Sequence, residues 1–153
     1  MVGLVLLAVV ALTVHDARRL ARSGITDVDR VDGCSFEEYL GLLFRRLGYS
    51  AEVTQYSGDY GADLVVSRDG VRHVVQAKRS RRPVGPRAVQ EVVAARPRYR
   101  CQGAVVVTNS TFTSAARRLA AENGVKLWDR RDLVDKILVL RRQERRGRRR
   151  THL

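Results

Sequence analysis

The sequence is poor in the residue types that build several common kinds of site. Aromatic side chains make up only 6% of the chain, which disfavours a single-strand binder that stacks bases on aromatic rings. The two cysteines, Cys34 and Cys101, lie far apart, with no CxxC spacing and no histidine at ligand spacing. The sequence therefore argues against a zinc site and against a disulfide scaffold, and it fits a reducing compartment.

Acidic residues are few in relation to basic ones. There are 29 lysines and arginines against 16 aspartates and glutamates, which gives a formal net charge of +13. Such an excess favours polyanionic partners, with nucleic acid first and anionic lipid second. Most of the positive charge is arginine, whose planar guanidinium makes forked contacts to phosphate.

No apolar run reaches the roughly 20 residues that a membrane-spanning helix needs. The longest, residues 1–14, carries no charge and is followed by a basic flank that includes Arg18, Arg19 and Arg22. It has no basic residues before it, so a secretory signal is not expected. A short or truncated membrane anchor, an interfacial helix and a buried helix all remain open. The anchor is favoured because the run has no polar face to show to water, and the basic flank would then keep the protein on the cytoplasmic side of the membrane.

Composition divides the chain into four parts. Residues 1–22 are the hydrophobic segment with its basic flank, 23–34 a polar linker, 35–140 a globular domain and 141–153 an arginine-rich tail. Residues 141–150 hold seven arginines and one glutamate. This predicts a solvated, disordered tail that also binds phosphate without sequence preference.

The domain predicts the element order α-β-β-β-α-β-α-β-α. Ser35 is a suitable N-cap for the first helix, and Asp69-Gly70 between two β-rich runs is a strong hairpin signal. The hairpin strands are predicted over residues 60–67 and 72–78. A hairpin that leads into alternating strands and helices implies an α/β layered domain with a central mixed sheet flanked by helices.

Three polar residues interrupt the apolar pattern of this hairpin: Asp63, Gln76 and Lys78. Side chains alternate between the two faces of a strand, so Gln76 and Lys78 share one face while His73 lies on the other. If the register brings Asp63 to the same face, the three side chains converge near one edge of the sheet. They are then either ordinary solvated strand residues or a site whose oxygens bind Mg²⁺ beside a lysine.

The surrounding residues resemble the catalytic domain of Mrr-type restriction endonucleases, which belong to the PD-(D/E)xK nuclease superfamily, here in its D…QxK form. The resemblance covers residues 35–138 in collinear order. It rests on Phe36-Glu37, Leu47-Gly48-Tyr49, Ser57-Gly58-Asp59, Gly61, Asp63, Gln76-Ala77-Lys78-Arg79, Val84-Gly85, Val89-Gln90-Glu91, Val106-Val107-Thr108-Asn109-Ser110, Phe112-Thr113, Ala116, Leu127-Trp128-Asp129 and Leu133. It implies a restriction-endonuclease-like fold and Mg²⁺-dependent hydrolysis of phosphodiester bonds in DNA, with Mn²⁺ as an alternative ion.

The resemblance also implies roles for individual residues. Asp63 is the metal-binding carboxylate, Gln76 replaces the usual second acid as a ligand, and Lys78 is the catalytic lysine. Glu37 is the helix acid that reaches the metal through water, with Glu38 as the competing candidate on the same helix. Asp59 shapes the turn before Asp63 rather than binding metal, and the predicted contacts to the DNA backbone are Arg79, Arg81, Arg82 and Arg87.

The prediction is therefore a metal-dependent endonuclease that acts on double-stranded DNA. Cleavage of both strands would require two active sites, which favours a homodimer. The alternatives are a catalytically silent nuclease fold that binds DNA, tethered to a membrane or not, and a membrane-surface protein whose functional parts are the two ends of the chain.

Overall fold

The computed structural model describes residues 24–30, 33–54 and 61–150. The hydrophobic N-terminal run and residues 55–60, including Asp59, lie outside this part of the chain, so the predictions made for them stay predictions. Within the described residues, no helix is long and apolar enough to cross a membrane. In chain order the elements are α1 (Ile25–Val28), α2 (Gly33–Arg46), β1 (Ser50–Val53), β2 (Leu64–Arg68), β3 (Val71–Lys78), α3 (Pro86–Arg98), β4 (Gly103–Thr108), α4 (Ser114–Glu122), β5 (Val125–Trp128) and α5 (Arg130–Arg150).

The five strands form one mixed sheet in the order β1-β2-β3-β4-β5. β2 pairs antiparallel with both β1 and β3, whereas β3 pairs parallel with β4 and β4 pairs parallel with β5. The hairpin between β2 and β3 turns on Asp69 and Gly70, with φ of 52° and 78°, as expected of a two-residue hairpin loop with positive φ at both positions. The predicted element order from α2 to α5 and the mixed sheet are confirmed.

Helices cover both faces of the sheet. On one face, α1, α2 and α5 pack against the alternate strand residues Leu64, Val66, Val75, Val105 and Val107. On the other, α3 and α4 pack against Val65, Val74, Ala104, Val106 and Val125. Because the central strands are apolar on both faces, the protein is a three-layer α/β/α domain, as buried parallel strands require.

The domain begins earlier than the sequence pattern predicts. Helix α2 starts at Gly33, so Ser35 lies in its first turn, and the predicted linker 23–34 contains α1. Val28 is fully buried in the core, with partly buried Ile25 packed beside it. Two apolar residues three positions apart share one side of a helical turn, and this short pattern explains why a polar-looking segment belongs to the folded domain.

The C-terminal arginines continue a helix. α5 runs to Arg150, whereas the sequence predicts a helix ending near residue 142 and a disordered tail. Arginine and glutamine are good helix formers, and no proline interrupts the run. The described part of the tail therefore extends an amphipathic helix that begins at the sheet.

Tyr39 on α2 provides a test of the core. Its side chain is fully buried, and its hydroxyl has no hydrogen-bond partner among the described residues. A buried hydroxyl without a partner costs about 1–3 kcal/mol of desolvation. We therefore expect Tyr39→Phe to raise the free energy of unfolding by about 1 kcal/mol, measured by urea unfolding at pH 8.

Tyr39→Phe should also remove one source of pH dependence from the free energy of unfolding. Burial raises the pKa of Tyr39 to about 12, against the charges of Arg141 and Arg46. An unfolded tyrosine loses its proton near pH 10, so between pH 10 and 12 the unfolded chain binds fewer protons and stability falls as pH rises. In this range the free energy of unfolding of the wild type should fall more steeply than that of Tyr39→Phe, by up to about 1.4 kcal/mol per pH unit. Parallel stability curves from pH 8 to 11 would contradict this account.

Candidate active site

Asp63 lies immediately before β2 and is held in place by the backbone on both sides. Its N–H donates to the Val75 carbonyl at 2.9 Å, and its own carbonyl accepts from the Thr54 N–H at 2.8 Å. The strand predicted from residue 60 begins only at Leu64. The ladder nevertheless continues through Asp63, which sets its carboxyl group opposite the end of β3.

The Asp63 carboxylate faces Gln76. Its Oδ2 atom accepts two hydrogen bonds of 2.7 Å, one from the Gln76 side-chain amide and one from the Ala77 backbone N–H. Gln76 is 5% exposed, and its Oε1 atom has no hydrogen-bond partner among the described residues. A buried amide oxygen beside a carboxylate is the kind of atom that a cation or a water would complete.

Burial raises the pKa of Asp63 above its ordinary value, and the negative charge of Glu91 adds to the increase. The Ala77 hydrogen bond and the charge of Lys78 oppose these two effects without cancelling them. A carboxylate in this position gains from a nearby positive charge, since a cation favours the ionised form. The local electrostatics therefore suit a bound cation.

Lys78 ends β3 on the same face as Gln76. Its ammonium lies 2.8 Å from Glu91 Oε2, and the Lys78 and Glu91 side chains are 36% and 26% exposed. The other oxygen, Glu91 Oε1, accepts from Arg87 Nε at 3.0 Å. Burial raises the pKa of Glu91, but the hydrogen bonds and charges of Lys78 and Arg87 outweigh burial and hold that pKa below its ordinary value.

Sequence reasoning gave Glu91 no role, although Val89-Gln90-Glu91 is part of the pattern that resembles the family. Glu91 is on α3, whose buried side is formed by Ala88, Val89, Val92 and Ala95. On sequence alone, Arg87 and Glu91 form an ordinary i,i+4 surface pair. Only the packing of α3 over β3, 13 positions after Lys78, brings this carboxylate to the strand end.

Glu37 and Glu38 lie on α2, whose buried residues pack against the opposite face of the sheet. No three His, Cys, Asp or Glu side chains gather closely enough to hold a metal ion within the part of the chain that the structure describes. Glu37 therefore does not join Asp63 and Glu91 in one cluster, and its role through a bridging water stays a prediction.

A pocket of about 500 Å³ opens beside Lys78, between the end of β3 and the start of α3. Its lining consists of Lys78 at the end of β3, residues of the loop 79–85, and Arg87, Ala88 and Glu91 on α3. This loop is fixed by the neighbouring strand: a parallel bridge joins Val84 to Phe112, and the Ser80 N–H donates to Asn109 Oδ1 at 2.8 Å. The loop that lines the pocket is thus held at the carboxyl ends of β3 and β4.

The four predicted DNA-contacting arginines differ in their surroundings. Arg81 and Arg82 are exposed on the loop, and the Arg87 side chain is 90% exposed although it bonds to Glu91. Arg79 is half-buried and donates to the Asp29 carbonyl at 2.9 Å. Arg79 therefore has a structural task in the described fold that the sequence does not reveal.

Asp29 connects the N-terminal segment to this end of the sheet. Its carboxylate accepts two hydrogen bonds of 2.8 Å from the Arg130 guanidinium and one of 2.9 Å from the Asn109 amide. The Arg130 hydrogen bond is the main reason that the pKa of Asp29 is lowered; burial opposes it, and Asn109 contributes in the same direction as Arg130. A forked, charge-assisted contact of this kind fixes orientation as well as distance.

Residues 28–137 match the model of the Mrr_cat restriction endonuclease family. The chain belongs to this family. The match spans every element from Val28 to the middle of α5, including the Asp63, Gln76, Lys78 and Glu91 cluster. No curated protein is similar enough to the chain to count as a match.

Three solved structures share the fold of this Mrr_cat member. The protein of unknown function AF1548 has a TM-score of 0.56 and 20% identity over 64% of this chain and 58% of its own. The DNA modification-dependent restriction endonuclease AspBHI has a TM-score of 0.55 and 23% identity over 67% of this chain and 30% of its own. The MspJI restriction endonuclease in complex with a 27-mer oligonucleotide has a TM-score of 0.53 and 22% identity over 73% of this chain and 29% of its own.

This chain therefore spans less than two thirds of each of these structures. At such identities the likeness shows the fold: a five-stranded mixed sheet flanked by helices, similar to that of restriction endonucleases. The resemblance predicted from the sequence is confirmed at the level of the family and the fold.

Proposed function

We propose that this protein is a metal-dependent endonuclease that hydrolyses phosphodiester bonds in double-stranded DNA. The observation that carries the proposal is the contact of Asp63 with Gln76 on the strand face that also carries Lys78, a residue that lines an open pocket. Membership of a restriction endonuclease family supports it. The MspJI structure, a relative in fold, is described as a complex with an oligonucleotide, and a chain of charge +13 suits such a partner.

Asp63 and Gln76 would hold the metal ion, for which Mg²⁺ is the first candidate and Mn²⁺ the second. These oxygens fit a hard cation. The Asp63 carboxylate has a pKa that burial raises, and the Gln76 amide oxygen is buried without a partner among the described residues. When bound, such an ion neutralises charge on a phosphate and lowers the pKa of a coordinated water.

Lys78 would act on the scissile phosphate from the lining of the pocket. Its ammonium would stabilise the negative charge that develops as water attacks phosphorus. Arg81, Arg82 and Arg87 would contact flanking phosphates, which positions the DNA without reading its sequence. Gly85, the N-cap of α3, and Arg87 in its first turn line the pocket, so the N-terminus of α3 favours anions there.

The direct test is cleavage of a supercoiled plasmid by the purified full chain. We expect conversion to nicked and linear DNA in Mg²⁺ or Mn²⁺ and none in EDTA. Comparing methylated with unmethylated plasmid in the same assay would show whether base modification affects cutting. Absence of nicking across both metals and both substrates would refute the proposed activity.

The alternative is a nuclease fold that binds DNA without cutting it. The observations that favour it are the neutral Gln76 in place of an acid and the engagement of Lys78 by Glu91. It predicts salt-sensitive binding to DNA, because binding releases counterions, together with intact plasmid in the cleavage assay.

A further inference from the structure

The strands supply little negative charge for a metal ion. The neutral Gln76 lies opposite Asp63 and donates its side-chain N–H to the Asp63 carboxylate. Its Oε1 atom is buried and has no hydrogen-bond partner among the described residues. Affinity for a divalent cation depends on how many of its oxygen ligands are charged. A centre built from Asp63 and Gln76 alone would therefore bind Mg²⁺ weakly.

A second carboxylate lies at the same strand end. Glu91 contacts Lys78 at 2.8 Å, and Lys78 shares its face of β3 with Gln76.

The backbone fixes this neighbourhood as well. A Cβ atom on Gly61 would overlap the backbone carbonyl of Glu91, so the turn that leads into Asp63 rests directly on α3 at this residue. The spacing between the Asp63 turn and Glu91 is therefore set by backbone contact.

From this geometry we infer that Glu91 is the second carboxylate of the metal centre and supplies from α3 the charge that Gln76 does not provide. Lys78 keeps the Glu91 side chain at the strand end. The inference rests on the proposed metal-dependent function and adds to it a ligand from a different element.

The contacts of Glu91 are compatible with this role. Both of its oxygens face cations, Lys78 and Arg87, which marks the position as one that favours positive charge. The Arg87 side chain is 90% exposed, and exposed ion pairs contribute little. The oxygen that Arg87 contacts is therefore the one that can turn to another cation at small cost.

The test is calorimetric titration of the full chain with Mn²⁺, with no DNA present. We expect Glu91→Gln to weaken Mn²⁺ binding by about tenfold or more, at least the loss that removal of an outer-shell partner causes. Glu122→Gln, which changes an exposed glutamate at the end of α4, is the matched control and should bind as the wild type does.

A second background separates a metal ligand from a residue that only positions Lys78. In Lys78→Met there is no lysine for Glu91 to hold, so adding Glu91→Gln should weaken Mn²⁺ binding by a factor similar to that found in the wild type. If Glu91 acted only by holding Lys78 in place, Glu91→Gln would cause no further loss of affinity in this background. That result would overturn the inference.

A measurement on the unaltered chain covers the case in which Glu91→Gln impairs folding. Addition of Mg²⁺ should shift the carboxylate ¹³C resonances of both Asp63 and Glu91 but not that of Glu122. A shift of Asp63 alone, or wild-type affinity in Glu91→Gln, would overturn the inference and leave the proposed function standing. A wild-type chain that neither binds Mn²⁺ nor nicks plasmid would refute both.

Discussion

Lys78→Ala is expected to lower the rate of plasmid cleavage in Mg²⁺ by a factor of about 10² or more, the effect of removing one donor that stabilises developing charge. DNA affinity should change little, because the chain keeps 28 of its 29 lysines and arginines. Lys78 shares its face of β3 with Gln76, and its positive charge opposes the increase that burial causes in the pKa of Asp63. Single-turnover cleavage and filter binding on the same preparations separate the two effects.

The matched control is Lys126→Ala, which removes one positive charge from an exposed position on β5. It should cut plasmid as the wild type does, so a drop in both variants would reflect weaker DNA attraction alone. Cleavage by Lys78→Ala at the wild-type rate would remove Lys78 from the mechanism. In the variant, Glu91 keeps Arg87 as a partner, so unfolding is not expected to explain the loss.

The second large effect is expected from Gly61→Ala. Gly61 has φ of +62°, where an alanine side chain costs about 1–2 kcal/mol, and its new Cβ would overlap the backbone of Glu91. Overpacking against a fixed neighbour typically adds about 1–3 kcal/mol. The free energy of unfolding should therefore fall by the sum of these two contributions, and cleavage should fall too as Asp63 and α3 are pushed apart.

Gly124→Ala is the control that separates the cost of the overlap with Glu91 from the cost of positive φ. Gly124 also has φ of +62°, yet a Cβ atom there would meet nothing within 4 Å. Urea unfolding should show Gly61→Ala to be the more destabilised by about 1–3 kcal/mol, with cleavage reduced only in that variant. Equal losses of stability would mean that the turn before Asp63 does not press on α3.

The hairpin and its polar residues could be predicted because strand alternation has a period of two. Asp-Gly sets a two-residue turn, and once that turn is fixed the register follows, which brings Asp63 to Gln76 without further information. The element order from α2 onward is equally predictable, because turn and cap residues separate its apolar runs, whereas α1 and the exact bounds of β2 and α5 are not. Local patterns thus determine the strand part of the site.

Glu91 and Asp29 escaped prediction for a common reason. Each acts through a partner on another element, Lys78 and Arg130 respectively, and neither contact leaves a local pattern. The sequence also predicts a linker around Asp29 because polar residues dominate this segment, whereas burial of Val28 attaches the segment to the domain. The periodicity of apolar residues does not predict which single polar side chains contact each other across elements.

The Asp29 contact also has a consequence for how the chain reaches its final state. Asp29 and Arg130 are 101 positions apart, so their pairing closes a loop that contains the whole sheet, and closing long loops delays the contacts that depend on them. Arg79, the residue after Lys78, bonds to Asp29 as well. The side chain that follows Lys78 can therefore make this contact only when the segment after α1 has docked on the folded domain beside the start of α5.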